Sequence, residues 1–233
     1  MKYRLCTTSV RTLIATLSLS VVMTLISGCI KMQPKTPEDL CGIFEEKRSW
    51  YRAAQESRNR WHSPIGITMS FIYQESGYDA YSKPERKKIF GIIPSWKRKS
   101  SAEGYAQAID ATWEQYVKEA GGRFSRRSNF KDAVDFVGWY NSKSQRHLGI
   151  SRTNAKALYL AYHEGWRGYQ NKTYRKKRWL IEAAERVEKR ARNYQIQYQN
   201  CKHKLSKWYD FIFIAQKTKE YTTTLLKYQY PVA

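Results

Sequence analysis

Glu75 is a carboxylate at the end of an apolar segment with helical spacing, and a glycine follows two residues later. The spacing places Phe71, Ile72 and Glu75 on one face of a helix that ends at Gly77. Apolar surroundings raise the pKa of a carboxyl group, and so does the negative end of a helix dipole. Glu75 is therefore a candidate general acid. The alternative is a glutamate held in an ion pair at a helix end.

Two later segments combine glycine with polar and aromatic side chains. The first runs from Gly104 to Gln107 and leads into Ala111-Thr112-Trp113, and the second is Ala161-Tyr162-His163-Glu164-Gly165. Together with Glu75-Ser76-Gly77, and in the same order and spacing, these segments resemble the three motifs of bacterial lytic transglycosylases. The resemblance extends over residues 61–169 and is closest to the lipoprotein members of that family.

This resemblance implies a mainly α, lysozyme-like domain that cleaves the β-1,4 bond between MurNAc and GlcNAc in peptidoglycan. Glu75 would be the general acid and base. The C6 hydroxyl of the muramic acid would attack the anomeric carbon and leave a 1,6-anhydromuramyl end. The residues expected to bind substrate are Ser76, Gln107, Tyr140 and Tyr162. Gln107 is expected to bind the sugar acetamido group, and the Tyr162 hydroxyl to point towards Glu75 or the sugar.

The last of these motifs departs from the family pattern, because His163 and Glu164 stand where the family has asparagine and alanine. Glu164, or Asp79 four residues after Glu75, could supply the second carboxylate of a muramidase that hydrolyses with water. We expect instead that Glu164 bonds to backbone or to Arg167. A non-catalytic peptidoglycan-binding lipoprotein or scaffold that keeps the fold is a further alternative.

Residues 1–28 are predicted to be a lipoprotein signal peptide. A basic start precedes an apolar stretch at 13–26, which is too short to span a bilayer comfortably, and small residues lead into Cys29. The pattern resembles a lipobox, whose cysteine is lipidated and becomes the first residue. An ordinary signal peptide or short anchor with an incidental cysteine is the alternative. Cys29 is followed by Ile30 and not by an aspartate, and the resemblance to lipoproteins then implies the outer rather than the inner membrane, with the protein facing the periplasm.

The chain is strongly basic. Its formal net charge is +22, and loss of Lys2, Arg4 and Arg11 with the signal peptide leaves +19. A charge of this size indicates an anionic partner. Because export argues against nucleic acid, lipid headgroups and the carboxylates of peptidoglycan are the expected partners. We expect a monomer, with envelope-assembly proteins as further candidate partners.

Cysteine usage agrees with export. Cys6 would be lost with the signal peptide and Cys29 lipidated, which leaves Cys41 and Cys201 as an even pair in an oxidising compartment. We predict a disulfide between them, and two free thiols are the alternative. The histidines do not have metal-ligand spacing with cysteines, and no glycine-rich phosphate loop stands out. No metal and no cofactor is expected.

The elements that must position these groups are predicted to be helices. Helical periodicity and cap signals predict segments at about 38–61, 64–76, 101–120, 131–140, 154–164 and 175–208. The start of the first is signalled by Thr36 as N-cap and Pro37 as first helical residue. No strong strand alternation accompanies them. Residues 81–101 are predicted to be a loop, either a lid or groove wall or a surface excursion. The predicted organisation is a lipidated tether at 29–37, the transglycosylase domain with flanking helices at 38–208, and a tail at 209–233.

The last predicted helix carries an apolar side chain alternately every three or four positions, from Leu180 to Trp208. Eleven arginines and lysines between 175 and 207, against three glutamates, cover its other faces. We interpret the seam as one long helix packed within its own chain, with dimerisation as the alternative. The N-terminal helix is the expected partner, because Cys41 and Cys201 would then meet.

Overall fold

The computed structural model describes residues 33–89, 93–98 and 100–229, with only the backbone described at 86–89, 93–98 and 207–229. The predicted signal peptide, Cys29 and the start of the tether lie outside these residues. Within the described ranges, the elements are α1 (Leu40–Glu46), α2 (Arg48–Trp61), α3 (Ile65–Ser76), β1 (Arg86–Ile89), β2 (Ile93–Arg98), α4 (Asp110–Glu119), α5 (Phe130–Leu148), α6 (Ala155–Gln170), a 3-10 turn (Thr173–Lys176) and α7 (Arg178–Gln229). None of the helices described here combines the length and apolarity needed to cross a membrane.

The helix α3 forms the centre of the domain. Every residue from Ile65 to Ile72 is buried, so α3 is enclosed on all sides over its first two turns. It packs most extensively against α7. Gly66 permits this approach, because a Cβ at that position would lie 2.6 Å from the carbonyl oxygen of Ala191. Gly77 ends α3 in the left-handed conformation with φ of 59°, as predicted.

The apolar seam of the last helix is buried within the chain. Its buried members are Leu180, Ala184, Val187, Ala191, Tyr194, Tyr198 and Leu205. The intramolecular packing that we predicted is confirmed, but the principal partner of α7 is α3, with smaller contacts to α6 and α1. The reason is that Gly66 lets the backbones of α3 and α7 approach closely, whereas α1 offers only seven residues.

The predicted disulfide between Cys41 and Cys201 is present, with the two Cα atoms 6.1 Å apart. It joins α1 to α7. Beside it, the backbone amide of Leu40 donates a hydrogen bond to the side-chain oxygen of Gln197 at 2.8 Å. The two flanking helices are therefore held together both covalently and by hydrogen bonding.

The prediction of a single helix over 38–61 is wrong. Lys47, with φ of −116° and ψ of 71°, separates α1 from α2. The N-cap is also Asp39 and not Thr36, because the Asp39 carboxylate reaches the free amide of Cys41 at 3.1 Å. The Thr36 carbonyl instead accepts the amide of Asp39 in the preceding turn.

The prediction of a helix over 101–120 is wrong in its first half, since α4 begins at Asp110. Gly104 has φ of 74° and Gln107 has φ of 47°, a left-handed conformation that interrupts an α-helix. The amide of Gly104 donates to the carbonyl of Ser82 at 2.9 Å, and that of Tyr105 donates to the carbonyl of Arg127 at 3.2 Å. Bonds to distant segments thus replace the local bonds of a helix.

The segment 81–101 contains a strand pair that the sequence did not predict. β1 and β2 are antiparallel, with Ile89 opposite Ile93. Gly91 and Pro94 interrupt the alternation that would have indicated strands. The fold is mainly α, as predicted. Because the side chains at 86–99 lie outside the described part of the structure, the role of this segment as a lid or groove wall stays a prediction.

The later helices are longer than predicted. α5 continues to Leu148, and α6 continues to Gln170 through a kink at Gly165, where φ is 72° and ψ is 165°. The backbone of α7 continues through most of the predicted tail to Gln229. The boundary predicted at 208 is therefore not a break in the helix, while the division of the chain into domains stays a prediction.

Replacement of Gly104 by alanine is expected to lower the free energy of unfolding by about 3 kcal/mol. Alanine would have to adopt a left-handed conformation, and its side chain would clash with the backbone of another segment. Its Cβ would lie 2.3 Å from the Arg127 carbonyl oxygen. Gly149→Ala is the matched control, because Gly149 has φ of 66° and no neighbour within 4 Å of the new Cβ. It should cost about 1 kcal/mol. Urea unfolding measures both, and equal losses would contradict the contact with Arg127.

Candidate active site

Glu75 lies in the last turn of α3, where the buried helix reaches the surface of the domain. Its carboxylate oxygen Oε1 is buried and has no hydrogen-bond partner among the described residues. Burial raises the pKa of Glu75 to about 7, and a hydrogen bond with the Tyr159 side chain acts in the opposite direction. A buried carboxyl group with one unsatisfied oxygen is a group that can hold a proton near neutral pH and deliver it to a substrate.

An aromatic wall from α6 surrounds this carboxylate. The ring of Phe71, one turn before Glu75, contacts the rings of Tyr159 and Tyr162 edge-on, with centroids 5.2 Å and 5.4 Å away. Tyr159 and Tyr162 both lie close enough to Glu75 for its negative charge to raise their pKa values, an effect that adds to their burial. These rings desolvate Glu75 and so account for its raised pKa.

Tyr162 joins two of the sequence motifs. Its hydroxyl donates a 2.5 Å hydrogen bond to the backbone carbonyl of Ala106. We expected this hydroxyl to point towards Glu75 or the sugar. The hydroxyl instead donates its hydrogen bond to the turn that carries Gln107, while the ring of Tyr162 remains beside Glu75. Tyr162 therefore holds the second motif against the third.

Gln107 shapes its own turn. The side-chain nitrogen Nε2 donates to the carbonyls of Ser82 at 2.9 Å and Gly104 at 2.8 Å. Both amide protons are thus used within the protein. The side-chain oxygen is the atom left to accept a hydrogen bond, and a sugar acetamido N–H could supply it. Binding of substrate by Gln107 stays a prediction.

The other two predicted binding residues also bond to backbone. The Ser76 hydroxyl donates to the carbonyl of Ile72 at 3.1 Å, inside α3. The Tyr140 hydroxyl donates to the carbonyl of Ala161 at 3.2 Å, and Tyr140 is only 7% exposed. Its ring packs on Tyr162, with centroids 5.1 Å apart. Tyr140 therefore supports Tyr162 from inside the domain, and substrate contact by either residue stays untested.

Glu164, one of the two possible second carboxylates, is occupied by a structural network. Its side chain is 3% exposed and bonds to the Lys177 ammonium at 2.7 Å, to the Thr173 hydroxyl and to His163 at 3.3 Å. The expectation of Arg167 as its partner is wrong, since the 3-10 turn brings Lys177 and Thr173 to it. Burial alone would raise the pKa of Glu164, but these hydrogen bonds together hold it below its usual range.

Asp79, the other possible second carboxylate, lies in the turn after Gly77. Its side-chain oxygen accepts the backbone amide of Tyr81 at 2.9 Å, a bond that closes this turn. Neither extra acid shares the combination found at Glu75, which is a buried oxygen without a partner and a raised pKa.

Glu164→Gln is expected to lower the free energy of unfolding by about 2 kcal/mol, because Lys177 loses a buried counter-charge. Cleavage of peptidoglycan at low temperature should stay within a few-fold of the wild type if Glu164 is structural. Urea unfolding and release of soluble muropeptides measure the two effects. A loss of activity larger than about 100-fold in a folded variant would show that Glu164 takes part in the chemistry.

Sequence reasoning missed Tyr159. It lies three residues before Tyr162, so helical spacing alone places both on one face of α6. Its position beside Glu75, however, follows from the tertiary contact of the α6 rings with Phe71 on α3 and has no local signal. Among the residues with described side chains, no group of three histidines, cysteines or acids could hold a metal ion.

The family model described as the transglycosylase SLT domain matches residues 17–201. Comparison with the curated proteins and with the solved structures returned no match. The matched range includes Glu75, the turn at Gln107, the wall of α6 and the first half of α7. The chain therefore belongs to the transglycosylase SLT domain family, and it is a peptidoglycan lytic transglycosylase with a mainly α, lysozyme-like fold.

Proposed function

We propose that Glu75 is the general acid and base that cleaves the β-1,4 bond between MurNAc and GlcNAc, with formation of 1,6-anhydromuramyl ends. The observation that carries this proposal is the environment of the carboxylate. One oxygen is buried without a partner among the described residues, and burial raises the pKa to about 7. A substantial share of the molecules then holds, near neutral pH, the proton that the reaction needs.

The reaction uses this single group twice. The proton moves from Glu75 to the glycosidic oxygen while the bond between that oxygen and the anomeric carbon breaks. GlcNAc leaves with a hydroxyl group, and positive charge develops on the MurNAc ring. The C6 hydroxyl of MurNAc then attacks the anomeric carbon and returns its proton to Glu75. No water is consumed, because the nucleophile is already part of the substrate.

Glu164 and Asp79 are already engaged in hydrogen bonds within the protein, and this supports a mechanism that uses one carboxylate. A muramidase would need a second free carboxylate to activate water or to form a covalent bond. Glu164 is held by Lys177 and Thr173, and Asp79 closes a turn on Tyr81. The hydrolytic alternative therefore has less support than the transglycosylase reaction.

The mass of the released muropeptides tests this proposal. The protein is incubated with peptidoglycan sacculi, and a preparation of Glu75→Gln serves as the blank. We expect products one water lighter than fragments with reducing ends. Fragments with reducing ends would overturn the proposed reaction in favour of a muramidase.

We further propose that the protein is an outer-membrane lipoprotein facing the periplasm, anchored through Cys29. The basic start, the apolar stretch and Gly28-Cys29 stand in the order of a lipoprotein signal. The disulfide between Cys41 and Cys201 supports export, because such bonds persist in oxidising compartments. The charge of +19 that remains after loss of three basic residues from +22 would favour contact with the anionic wall.

Cys29→Ser is expected to abolish incorporation of a labelled fatty acid and to leave the precursor uncleaved, because the thiol is the acceptor of the lipid. Cys6→Ser is the matched control, since Cys6 lies within the predicted signal peptide and should leave labelling unchanged. Metabolic labelling and the mass of the mature protein measure both effects. A normal fatty-acid label on the Cys29→Ser protein would contradict the proposal.

A further inference from the structure

Trp179 is a large aromatic side chain on the surface of the domain. It is the second residue of α7 and is 55% exposed. The ring of His163 on α6 packs edge-on against it, with centroids 5.0 Å apart and an interplanar angle of 76°. The protein therefore leaves much of the indole open to solvent, although the hydrophobic effect favours its burial.

The indole is held by a network that starts at Glu164. The carboxylate oxygen Oε1 of Glu164 contacts both His163 and Lys177, and its Oε2 accepts the Thr173 hydroxyl. Lys177 and Thr173 precede Trp179 in the chain. Both the residue that packs on Trp179 and the segment that leads into it are thus tied to one buried carboxylate. The His163-Glu164 pair, which departs from the family pattern, therefore helps to hold Trp179 in place.

Trp179 lies where α6 packs against α7, and the same pair of helices borders the Glu75 site through Tyr159. Tyr159 bonds to Glu75 and also lies close to Arg186 on α7. His163 is one helical turn beyond Tyr159, and Trp179 is two turns before Arg186, so the antiparallel helices bring these two residues together. The rise of α6 places His163 about 6 Å further along the helix axis than Tyr159.

Arg186 adds positive charge to this surface of α6 and α7. It is exposed, and no described carboxylate forms an ion pair with it: Glu182, one turn away on α7, pairs with Arg178 at 2.8 Å, and Glu185 pairs with Lys156 at 2.8 Å. The surface where α6 meets α7 therefore offers a flat apolar ring and a cation whose charge no neighbouring acid neutralises within the described part of the chain.

We propose that Trp179 and Arg186 form a second binding wall for the peptidoglycan strand, beyond the sugars at Glu75. The indole stacks on the apolar face of a sugar ring, and the guanidinium pairs with a carboxylate of the peptide stem. This binding wall adds contacts between the protein and sugars of the strand that do not react. This inference rests on the proposed role of Glu75, because that role places the reacting bond beside Tyr159, at one end of this surface.

Binding measured without turnover separates this inference from the proposed reaction. The full-length protein carrying Glu75→Gln is titrated with purified long glycan strands and with short oligosaccharides. Adding Trp179→Ala should weaken binding of the long strands roughly 10-fold and leave the short ones unchanged, while Trp179→Phe should retain most of the affinity. Ile196→Ala, which removes a side chain 62% exposed on the same helix, is the matched control and should change neither.

Arg186→Gln tests the charged half of the wall. It should weaken binding of strands that carry peptide stems by roughly 10-fold and leave strands stripped of their stems unaffected. Unchanged binding of long strands by Trp179→Ala would overturn the inference. An equal loss of affinity for long and short ligands would also overturn it, and so would a loss in Ile196→Ala equal to that in Trp179→Ala. Because none of these readouts requires cleavage, a failure of the Glu75 mechanism would appear separately, as an active Glu75→Gln enzyme.

Discussion

Exchange of Glu75 for glutamine is expected to lower the rate of peptidoglycan cleavage by roughly 10³-fold while the fold is retained. The amide has nearly the same shape but cannot donate a proton of comparable acidity to the glycosidic oxygen or accept one from the C6 hydroxyl. The release of soluble muropeptides from sacculi measures the loss. The rate for the wild type should also fall as the pH rises through about 7, because the proton-donating form is then lost.

Glu114→Gln is the matched control, because Glu114 is an exposed glutamate of α4. Its activity should stay within about two-fold of the wild type, as is usual for surface substitutions. Retention of more than about a tenth of the wild-type rate by Glu75→Gln would show that another group transfers the proton.

The same exchange should stabilise the protein at alkaline pH. The pKa of Glu75 is about 7 in the folded state against 4.5 for an ordinary glutamate, so the folded protein holds a proton that the unfolded chain releases in between. The contribution of Glu75 to the free energy of unfolding is fully present below pH 4.5. It is lost as the pH rises through about 7, and the total loss is about 3 kcal/mol. Glutamine cannot ionise. Glu75→Gln should therefore be more stable than the wild type at pH 8 and similar to it at pH 4.

Urea unfolding at these two pH values tests whether ionisation of the buried Glu75 destabilises the folded protein. An identical pH dependence of stability in the two proteins would show that ionisation of Glu75 is not costly in the folded state. In that case burial would not explain how a glutamate can act as an acid at neutral pH.

Reduction of the Cys41–Cys201 disulfide is expected to lower the free energy of unfolding by about 5 kcal/mol. The bond links residues 160 positions apart, and a crosslink over such a long loop removes much of the conformational entropy of the unfolded chain. Urea unfolding with and without a reductant measures the effect. The double variant Cys41→Ser, Cys201→Ser is the control, because a reductant should not change its stability further.

Activity should respond less than stability to the loss of this bond. The disulfide joins α1 to α7, whereas Glu75 lies on α3 and is walled by α6. At low temperature, where the reduced protein remains folded, cleavage should stay within a few-fold of the oxidised form. Unchanged unfolding in reductant would contradict the stabilising role, and complete inactivation of a folded, reduced protein would show that α1 also shapes the site.

Several features of the molecule were determined by signals local to the sequence. Gly77 can adopt the left-handed conformation that ends α3, and this alone placed Glu75 in a final helical turn. The period of α7 placed Leu180, Val187 and Tyr194 on its buried face. The even pair of cysteines indicated their bond. Each signal depends on side-chain type and near-neighbour spacing, and both can be read along the chain.

The partners of the site groups were decided by packing between distant segments. Tyr159 reaches Glu75 because α6 packs near α3, and Lys177 displaces Arg167 as the partner of Glu164 because a 3-10 turn folds back on α6. The turn at Gln107 replaces the predicted helix because its backbone bonds to Ser82 and other remote carbonyls. The sequence therefore determined which group can be the acid. The tertiary structure determined its pKa, because desolvation depends on residues that only folding brings around it.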